Sequence, residues 1–369
     1  MKKAKKTYDR KRVDSLKNAV RLMRNSTGNL CYGHIDKMSW VTDLGSVQNK
    51  VLIERLNDLK SGSGYLIKCR PAGKKGCDDL YRSVVEIRLA DKSTAHPVLM
   101  MIYFSPKRKN LGVMRMEFSP QHYTPVQITE LFLWLGNDDR LGEVLYQGLR
   151  KAWVTTIHYA LDVVGMQFHD YLFGLKKMHG GEYYDLHGPE EGLRLGSSTL
   201  VASAYAKVNA PSLSVEERYA AALLTLEESQ LEHFLRLELR FSPGKQKLML
   251  RNLSHITNLV SRLVIYHRDM LEDKGLDPDF VRLLGEMPIP AARAKFKPAS
   301  KLNGKAVSTT KEAANKRVDK CMKKYRVPLF DAEAIWDRLP LVLETLGILA
   351  QPQHWELKHR QKWLKLLGK

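Results

Sequence analysis

Two short segments place titratable side chains on one face of a predicted strand. In TTIHYALDV, His158 and Asp162 share a face, because residues an even number apart point to the same side of a strand. In LEHFLRLELRF, Arg236, Glu238 and Arg240 share a face in the same way. Carboxylates and histidine can ligate a divalent cation, and the planar guanidinium of arginine suits phosphate. A solvent-facing edge or a row of surface charges is the alternative interpretation.

A third segment, TLVASAYAKVN, places Tyr205 and Lys207 on one strand face after a glycine–serine turn. An ammonium group beside a phenol favours the phenolate, and it can then hold the phosphate that the phenolate attacks. The alternative for an isolated Tyr-x-Lys is an aromatic residue that simply packs in a strand. Spacing alone also leaves the metal site open, because His158 and Asp162 lie about 13 Å apart along a regular strand.

The charge of the chain indicates a polyanionic partner. Sixty lysines and arginines stand against forty acidic residues, which gives a net charge of +20 and a pI near 9.7. Nucleic acid is the commonest partner of so basic a protein, and ribosomes or membrane surfaces are the alternatives. The four cysteines form no CxxC pair, so neither a zinc site nor a disulfide framework is expected.

Length and hydropathy limit the protein class. The chain has 369 residues, enough for two or three domains, and its mean hydropathy is −0.35. No apolar run is long enough to cross a bilayer, and the basic N-terminus is not followed by an apolar stretch. We therefore expect a cytoplasmic protein with no membrane partner.

Hydrophobic periodicity predicts the elements that position the three segments. The predicted strands are 65–70, 83–90, 98–105, 111–119, 155–165, 182–187, 192–197, 199–209 and 231–242. The predicted helices are 47–60, 124–136, 141–153, 168–180 and 212–229. Two successive units of strands with one or two helices indicate an α+β fold with a duplicated antiparallel sheet.

Changes in composition divide the chain into four parts. Residues 1–46 form a basic N-terminal segment, and residues 47–243 form the α+β core. One long amphipathic helix is predicted over 244–275. The remainder, 276–369, reads as a basic, all-helical C-terminal module that is entered through a linker-like stretch at 288–310.

The order of the three segments resembles a known family. It is similar to the replication initiation factor family of rolling-circle plasmids, the Rep_trans group, and to related initiators of some filamentous phages. The matching segments are TIHYALDV (156–163), LGSSTLVASAYAKVN (195–209) and FLRLELRF (234–241), and VMRMEFSPQHYT (113–124) resembles a strand of the first half of such initiators. The resemblance covers residues 48–243 and implies a Rep/HUH-like nuclease core, although the His–hydrophobic–His signature of HUH nucleases is absent.

The resemblance implies an endonuclease and ligase that acts at one site on single-stranded origin DNA. Tyr205 would attack the phosphodiester, remain joined to the 5′ phosphate and free a 3′ hydroxyl, with Lys207 as the adjoining basic residue. Asp162 and Glu238 would ligate Mg²⁺ or Mn²⁺. His158 stands where the family has its first aspartate, so its role as a third ligand or as a phosphate contact stays open.

Origin DNA would be held by basic surface residues. The candidates are Arg236, Arg240 and the predicted hairpin tip PKRKN, which contains Lys107, Arg108 and Lys109. The helical C-terminal module is a further candidate for binding double-stranded DNA. A host helicase and a second copy of the chain, forming a homodimer, are the other expected partners.

Two other functions remain open from the sequence. A non-enzymatic, sequence-specific DNA-binding regulator would use the same basic surface, but it would not require Tyr205, Glu238 and Asp162 to converge. An RNA-binding protein could use exposed aromatics such as Tyr183 and Tyr184, although no RNP-like motif is present.

Overall fold

The computed structural model describes residues 19–62, 64–71, 80–90, 98–184, 192–206, 234–244, 247–302 and 304–366. In chain order the described strands are β1 Val20–Arg24, β2 Leu30–Thr42, β3 Tyr65–Pro71, β4 Tyr81–Leu89, β5 Met100–Pro106, β6 Met114–Phe118, β7 Trp153–Val164, β8 Tyr171–Leu175, β9 Gly181–Tyr184, β10 Gly192–Gly196, β11 Leu200–Ala206, β12 Phe234–Phe241, β13 Leu248–Met249, β14 Leu263–His267, β15 Lys301–Leu302 and β16 Lys305–Ala306. The described helices are α1 Ser46–Asn57, α2 Pro125–Leu135, α3 Glu143–Lys151, α4 Pro278–Glu286, α5 Ile289–Lys295, α6 Lys311–Met322, α7 Ala332–Trp336, α8 Leu339–Glu344 and α9 Leu357–Leu366.

Most strands belong to one large antiparallel sheet, so the predicted α+β class and antiparallel pairing are confirmed. The strands follow the order β3-β4-β5-β6-β2-β7-β12-β11-β10-β9. Each half of this order begins in the chain with a long strand, β2 or β7. Later in the chain, each long strand is followed by a four-stranded meander, which is β3–β6 after β2 and β9–β12 after β7. The last strand of each meander, β6 or β12, pairs with that long strand. The two long strands pair with each other at the centre of the sheet.

Local signals position the helices that cover the apolar side of the sheet. At the start of α2, Thr124 accepts a hydrogen bond from the backbone of Gln127, and the Gln127 side chain accepts one from the backbone of Thr124. This capping box, with Pro125 at the first helical position, confirms the predicted start of the helix. Phe132 of α2 then packs edge-on against Phe118 of the sheet.

The basic N-terminal segment contributes two strands to the sheet, which the sequence analysis did not predict. The strand β2 lies at the centre of the sheet, between β6 and β7, rather than before the core. It is buried on both faces along most of its length, so it lacks the apolar–polar alternation that marks a half-buried strand.

Two predicted helices are wrong. In place of the helix 168–180 the chain forms a short 3-10 turn and the strand β8. In place of the helix 244–275 it forms β13, several 3-10 turns and β14, which pairs with β8. Asn258 explains part of the second error, because its side chain accepts from the backbone of Ser261 while its carbonyl accepts from the Ser261 hydroxyl. Such side-chain bonds to the backbone compete with helical hydrogen bonds.

The C-terminal part is mostly helical, with the small β15–β16 hairpin inside it. Its second half is not separate from the sheet, because Leu329, Val342 and Trp355 belong to the same hydrophobic core as the strands. A second hydrophobic cluster, around Phe280 and Val318, links α4, α5 and α6 to β8. In the described parts of the chain, no helix is both long and apolar enough to cross a membrane.

Trp355 tests whether the C-terminal residues support the sheet. Its side chain is fully buried, and its indole N–H donates to the carbonyl of Ile348 at 2.9 Å. We expect Trp355→Ala to lower the free energy of unfolding by about 3–5 kcal/mol. Leu357→Ala, at a side chain that is 61% exposed, is the control and should cost less than about 0.5 kcal/mol. Urea unfolding followed by circular dichroism measures both, and equal stabilities would show that this contact does not support the core.

Candidate metal and nucleophile site

The strand register brings the three chemistry-bearing segments together. β12 lies between β7 and β11 and pairs antiparallel with both. Arg236 of β12 is therefore opposite Asp162 on one side and opposite Tyr205 on the other. Glu238, two residues further along β12, points to the same face. The predicted convergence of these strands is thus a consequence of their pairing.

Arg236 and Asp162 form a fully buried ion pair at the centre of the polar patch that β7, β12 and β11 form. The guanidinium Nε donates to Asp162 Oδ1 and Nη2 donates to Oδ2, both at 2.6 Å. Neither side chain has any exposed surface. A bidentate, charge-assisted pair of this kind is among the stronger polar interactions in proteins. His34 of β2 lies against it, with Nδ1 at 3.7 Å from Asp162 Oδ2.

This geometry corrects two predicted roles. Arg236 does not fit the predicted role of a DNA contact, because it is buried and holds two carboxylates. Asp162 does not fit the predicted role of a cation ligand, because it has no exposed surface and the buried Arg236 guanidinium holds both of its oxygens. Instead, the Arg236–Asp162 pair holds the strands of the candidate site together.

Asp36, a carboxylate that the sequence patterns do not mark, lies where it could serve as a cation ligand in place of Asp162. Asp36 lies on β2 at an irregularity of the β2–β7 pairing, where the register shifts between Ile35 and Lys37. A bulge of this kind re-aims a side chain. Asp36 Oδ1 accepts a hydrogen bond from Arg236 Nη1 at 3.0 Å, and the same nitrogen lies 3.3 Å from Gln121 Oε1.

Glu238 connects the predicted nucleophile with the predicted histidine. Its Oε1 lies 2.7 Å from His158 Nδ1, and its Oε2 accepts a hydrogen bond from the Tyr205 hydroxyl at 3.3 Å. Potential ligand atoms of Asp36, His158 and Glu238 all lie within 4.8 Å of one another. These three partly exposed side chains are the group that could hold a metal ion.

The charges in the patch suit a divalent cation. Asp36, Asp162 and Glu238, when ionised, stand against the single positive charge of Arg236, which leaves an excess of two negative charges. Oxygen ligands with one imidazole are compatible with Mg²⁺ or Mn²⁺. The residues therefore fit the cation that the sequence analysis expects, with Asp36 in the place of Asp162.

The pKa of Glu238 is lowered although the group is largely buried. Burial raises it, but the hydrogen bond and charge of His158, the charge of Arg236 and the hydrogen bond from Tyr205 together outweigh burial. Glu238 is therefore ionised at neutral pH. Its contribution to stability is present above the ordinary carboxylate range and is lost only as the pH falls through this lowered pKa.

The pKa of Tyr205 is shifted in the opposite direction. Burial raises it well above its ordinary value, and the negative charges of Glu238, Asp36 and Asp162 raise it further, although Arg236 lowers it. The phenol is therefore protonated at neutral pH and acts as the donor to Glu238. An attacking phenolate must form during the reaction rather than before it.

The other predicted residues lie at the surface or outside the described residues. Lys107, Arg108 and Lys109 are exposed in the turn between β5 and β6, as the predicted hairpin tip requires. Arg240 is exposed on β12, opposite His158 in the register. Lys207 and the predicted helix 212–229 lie outside the described residues, so the structure does not place them.

Comparison with known proteins does not assign the chain to a family. No protein-family model matches the chain, and no curated protein is recognisably similar to it. The resemblance to replication initiators therefore depends on the sequence motifs alone.

Arg236→Gln tests the support of the site. The substitution leaves Asp162 buried without its counter-charge, and we expect a loss of about 3–5 kcal/mol in the free energy of unfolding. Arg240→Gln, four residues along the same strand at an exposed position, should change stability by less than about 0.5 kcal/mol. Urea unfolding compares the two variants. The ion pair would not be the main support of the strand centre if both unfolded at the wild-type midpoint.

Proposed function

We propose that the protein is a rolling-circle replication initiator that nicks and rejoins single-stranded origin DNA through a covalent tyrosyl intermediate. The observation that carries the proposal is the contact of Tyr205 with Glu238 beside Asp36 and His158. A DNA-binding regulator would not need a phenol held against a group of potential cation ligands. We also propose that the core is a Rep/HUH-like nuclease core.

Glu238 is placed to accept the proton of the nucleophile. As the Tyr205 hydroxyl transfers its proton to Oε2 of Glu238, the phenolate oxygen forms a bond to the scissile phosphorus. The bond from phosphorus to the 3′ oxygen breaks, and that oxygen receives the proton that protonated Glu238 returns through water, which gives the 3′ hydroxyl and restores the Glu238 carboxylate. Tyr205 then carries the 5′ phosphate, and the ester retains the energy needed for rejoining.

The remaining residues hold the reacting groups in position. Asp36, His158 and Glu238 would hold a divalent cation, which supplies polarisation of a non-bridging phosphate oxygen. Arg236 fixes the direction of Asp36 through its hydrogen bond at 3.0 Å. Arg236 also lies across from Tyr205 in the strand register, so its charge opposes the rise in the phenol pKa that burial causes.

The distribution of charge supports DNA as the partner. Residues 293–326, which we call the basic lobe, contain twelve lysines and arginines but only Glu312 and Asp319 as acids. This surplus of ten is half of the net charge of the whole chain. The lobe is a candidate surface for double-stranded origin DNA, together with Lys107, Arg108 and Lys109. A host helicase and a homodimer remain predictions from the sequence.

Loss of one hydroxyl tests the nucleophile. We expect Tyr205→Phe to abolish the covalent adduct with a labelled single-stranded origin oligonucleotide in the presence of Mn²⁺, while DNA binding persists, because only the attacking oxygen is removed. Denaturing electrophoresis detects the adduct. Tyr183→Phe on β9 is the matched control and should form the adduct in normal yield. An undiminished adduct in Tyr205→Phe would move the nucleophile elsewhere.

Removal of single ligands tests the cation site without any DNA. We expect Asp36→Asn, His158→Ala and Glu238→Gln each to weaken Mn²⁺ binding by at least about tenfold, because each removes a ligand atom or its charge. Isothermal titration calorimetry measures the affinity. Glu182→Gln, which removes an exposed carboxylate from β9, should bind like the wild type. If Asp36→Asn also bound like the wild type, the assignment of Asp36 would be wrong.

A further inference from the structure

The first half of the sheet contains a second arrangement that corresponds to the tyrosine site position by position. β6 occupies in the first half the place that β12 occupies in the second, and both contain an Arg-x-Glu sequence. Arg115 of β6 is opposite Tyr103, as Arg236 is opposite Tyr205. The Arg115 guanidinium lies over the Tyr103 ring, 5.7 Å from its centre.

The correspondence extends to the partner of the glutamate. Glu238 contacts His158 on the long strand β7, and Glu117 of β6 accepts a hydrogen bond from Lys37 on the long strand β2 at 2.8 Å. Arg115 Nη2 also donates to Glu117, at 2.6 Å. A lysine therefore stands in the first half where the second half has a histidine.

The two arrangements differ in the charge that they carry. In the first half, Val41 lies opposite Arg115, where the second half has Asp162 opposite Arg236. The charged groups that correspond to those of the second half are Lys37, Arg115 and Glu117, which carry one excess positive charge in place of two negative charges. An ammonium group has no lone pair for a metal, so the first-half arrangement does not form a cation site. Cationic donors of this kind bind a phosphate directly.

The two arrangements adjoin each other on the same face of the sheet. Lys37 and His158 are direct partners in the pairing of β2 with β7, and paired residues point to the same side. The row Glu117, Lys37, His158 and Glu238 therefore crosses four neighbouring strands without a break. The Lys37 side chain is 41% exposed, so its ammonium group is accessible from solvent.

We propose that Lys37 and Arg115 form a phosphate-binding subsite for the single-stranded DNA that flanks the scissile phosphate. The inference rests on the proposed function for the identity of the bound chain. Tyr103 is only 4% exposed, and its neighbour Glu117 is not part of the group of potential cation ligands among the described residues, so Tyr103 is not a second nucleophile. In this proposal, the first half of the sheet binds the single-stranded DNA, and the second half contains the tyrosine that cleaves it.

Substitutions that remove either a positive or a negative charge test the subsite. Binding of a fluorescent single-stranded oligonucleotide is measured by anisotropy in EDTA over a range of salt concentrations, in the Tyr205→Phe background so that no covalent adduct forms. We expect Lys37→Gln to weaken binding and to reduce the slope of log K against log salt by about 0.7, the value for one phosphate contact on a single strand. Glu117→Gln removes the competing carboxylate and should tighten binding. Lys37→Arg keeps the charge and should bind about as tightly as the parent protein.

Lys60→Gln is the control for a general loss of positive charge, because Lys60 is exposed on a different part of the surface. It should leave the salt slope unchanged. The proposal is wrong if Lys37→Gln retains the parent affinity and slope, if Lys60→Gln loses as much affinity, or if Glu117→Gln weakens binding. Circular dichroism confirms that each variant is folded.

The outcome for the subsite is independent of the outcome for the chemistry. A wild-type protein that forms the tyrosyl adduct, but whose oligonucleotide affinity does not depend on Lys37, would overturn the subsite and leave the proposed function standing. Affinity that depends on Lys37 in a protein that forms no adduct would support the subsite and contradict the nicking activity.

Discussion

The buried pair of Arg236 and Asp162 is the interaction on which the arrangement of the site depends. Two charges without any solvent contact are tolerated only because each satisfies the other, and breaking such a pair leaves an uncompensated charge in the core. The pair spans two neighbouring central strands and reaches a third through Asp36. It thereby ties the register of β2, β7 and β12 to one geometry, in which a slip of a single residue would separate the guanidinium from its carboxylates.

The fold explains why the reactive groups lie near the middle of the sheet. The two halves repeat one strand order, and they meet where the long strands β2 and β7 pair. Side chains on this seam come from both halves, so Asp36 of the first half completes a site whose other members lie in the second. The opposite face is occupied by the hydrophobic core, which leaves the polar face for ligands. The position of the site is thus a result of the topology.

Much of the architecture could be predicted from the sequence, because local patterns mark it. The strands β3 to β7 and the helices α1 to α3 lie close to the predicted ranges, and the capping box marks the start of α2. Asp36 could not be found in this way, because β2 is buried on both faces and a bulge interrupts its alternation. The segment 244–275 shows an apolar spacing that fits a helix, but Asn258 and Ser261 bond to the backbone and favour turns. The burial of Arg236 could not be predicted either, because the alternation of residues along a strand does not show which positions on a face are buried.

The basic lobe concentrates half of the net positive charge of the chain in 34 residues. A polyanionic partner would experience this charge before any specific contact formed. Electrostatic steering raises the rate of productive encounters and fades as counterions shorten the range of the field. If the proposed function is correct, residues 293–326 would contribute to the association rate with DNA, and the lifetime of the complex would also depend on contacts elsewhere on the chain.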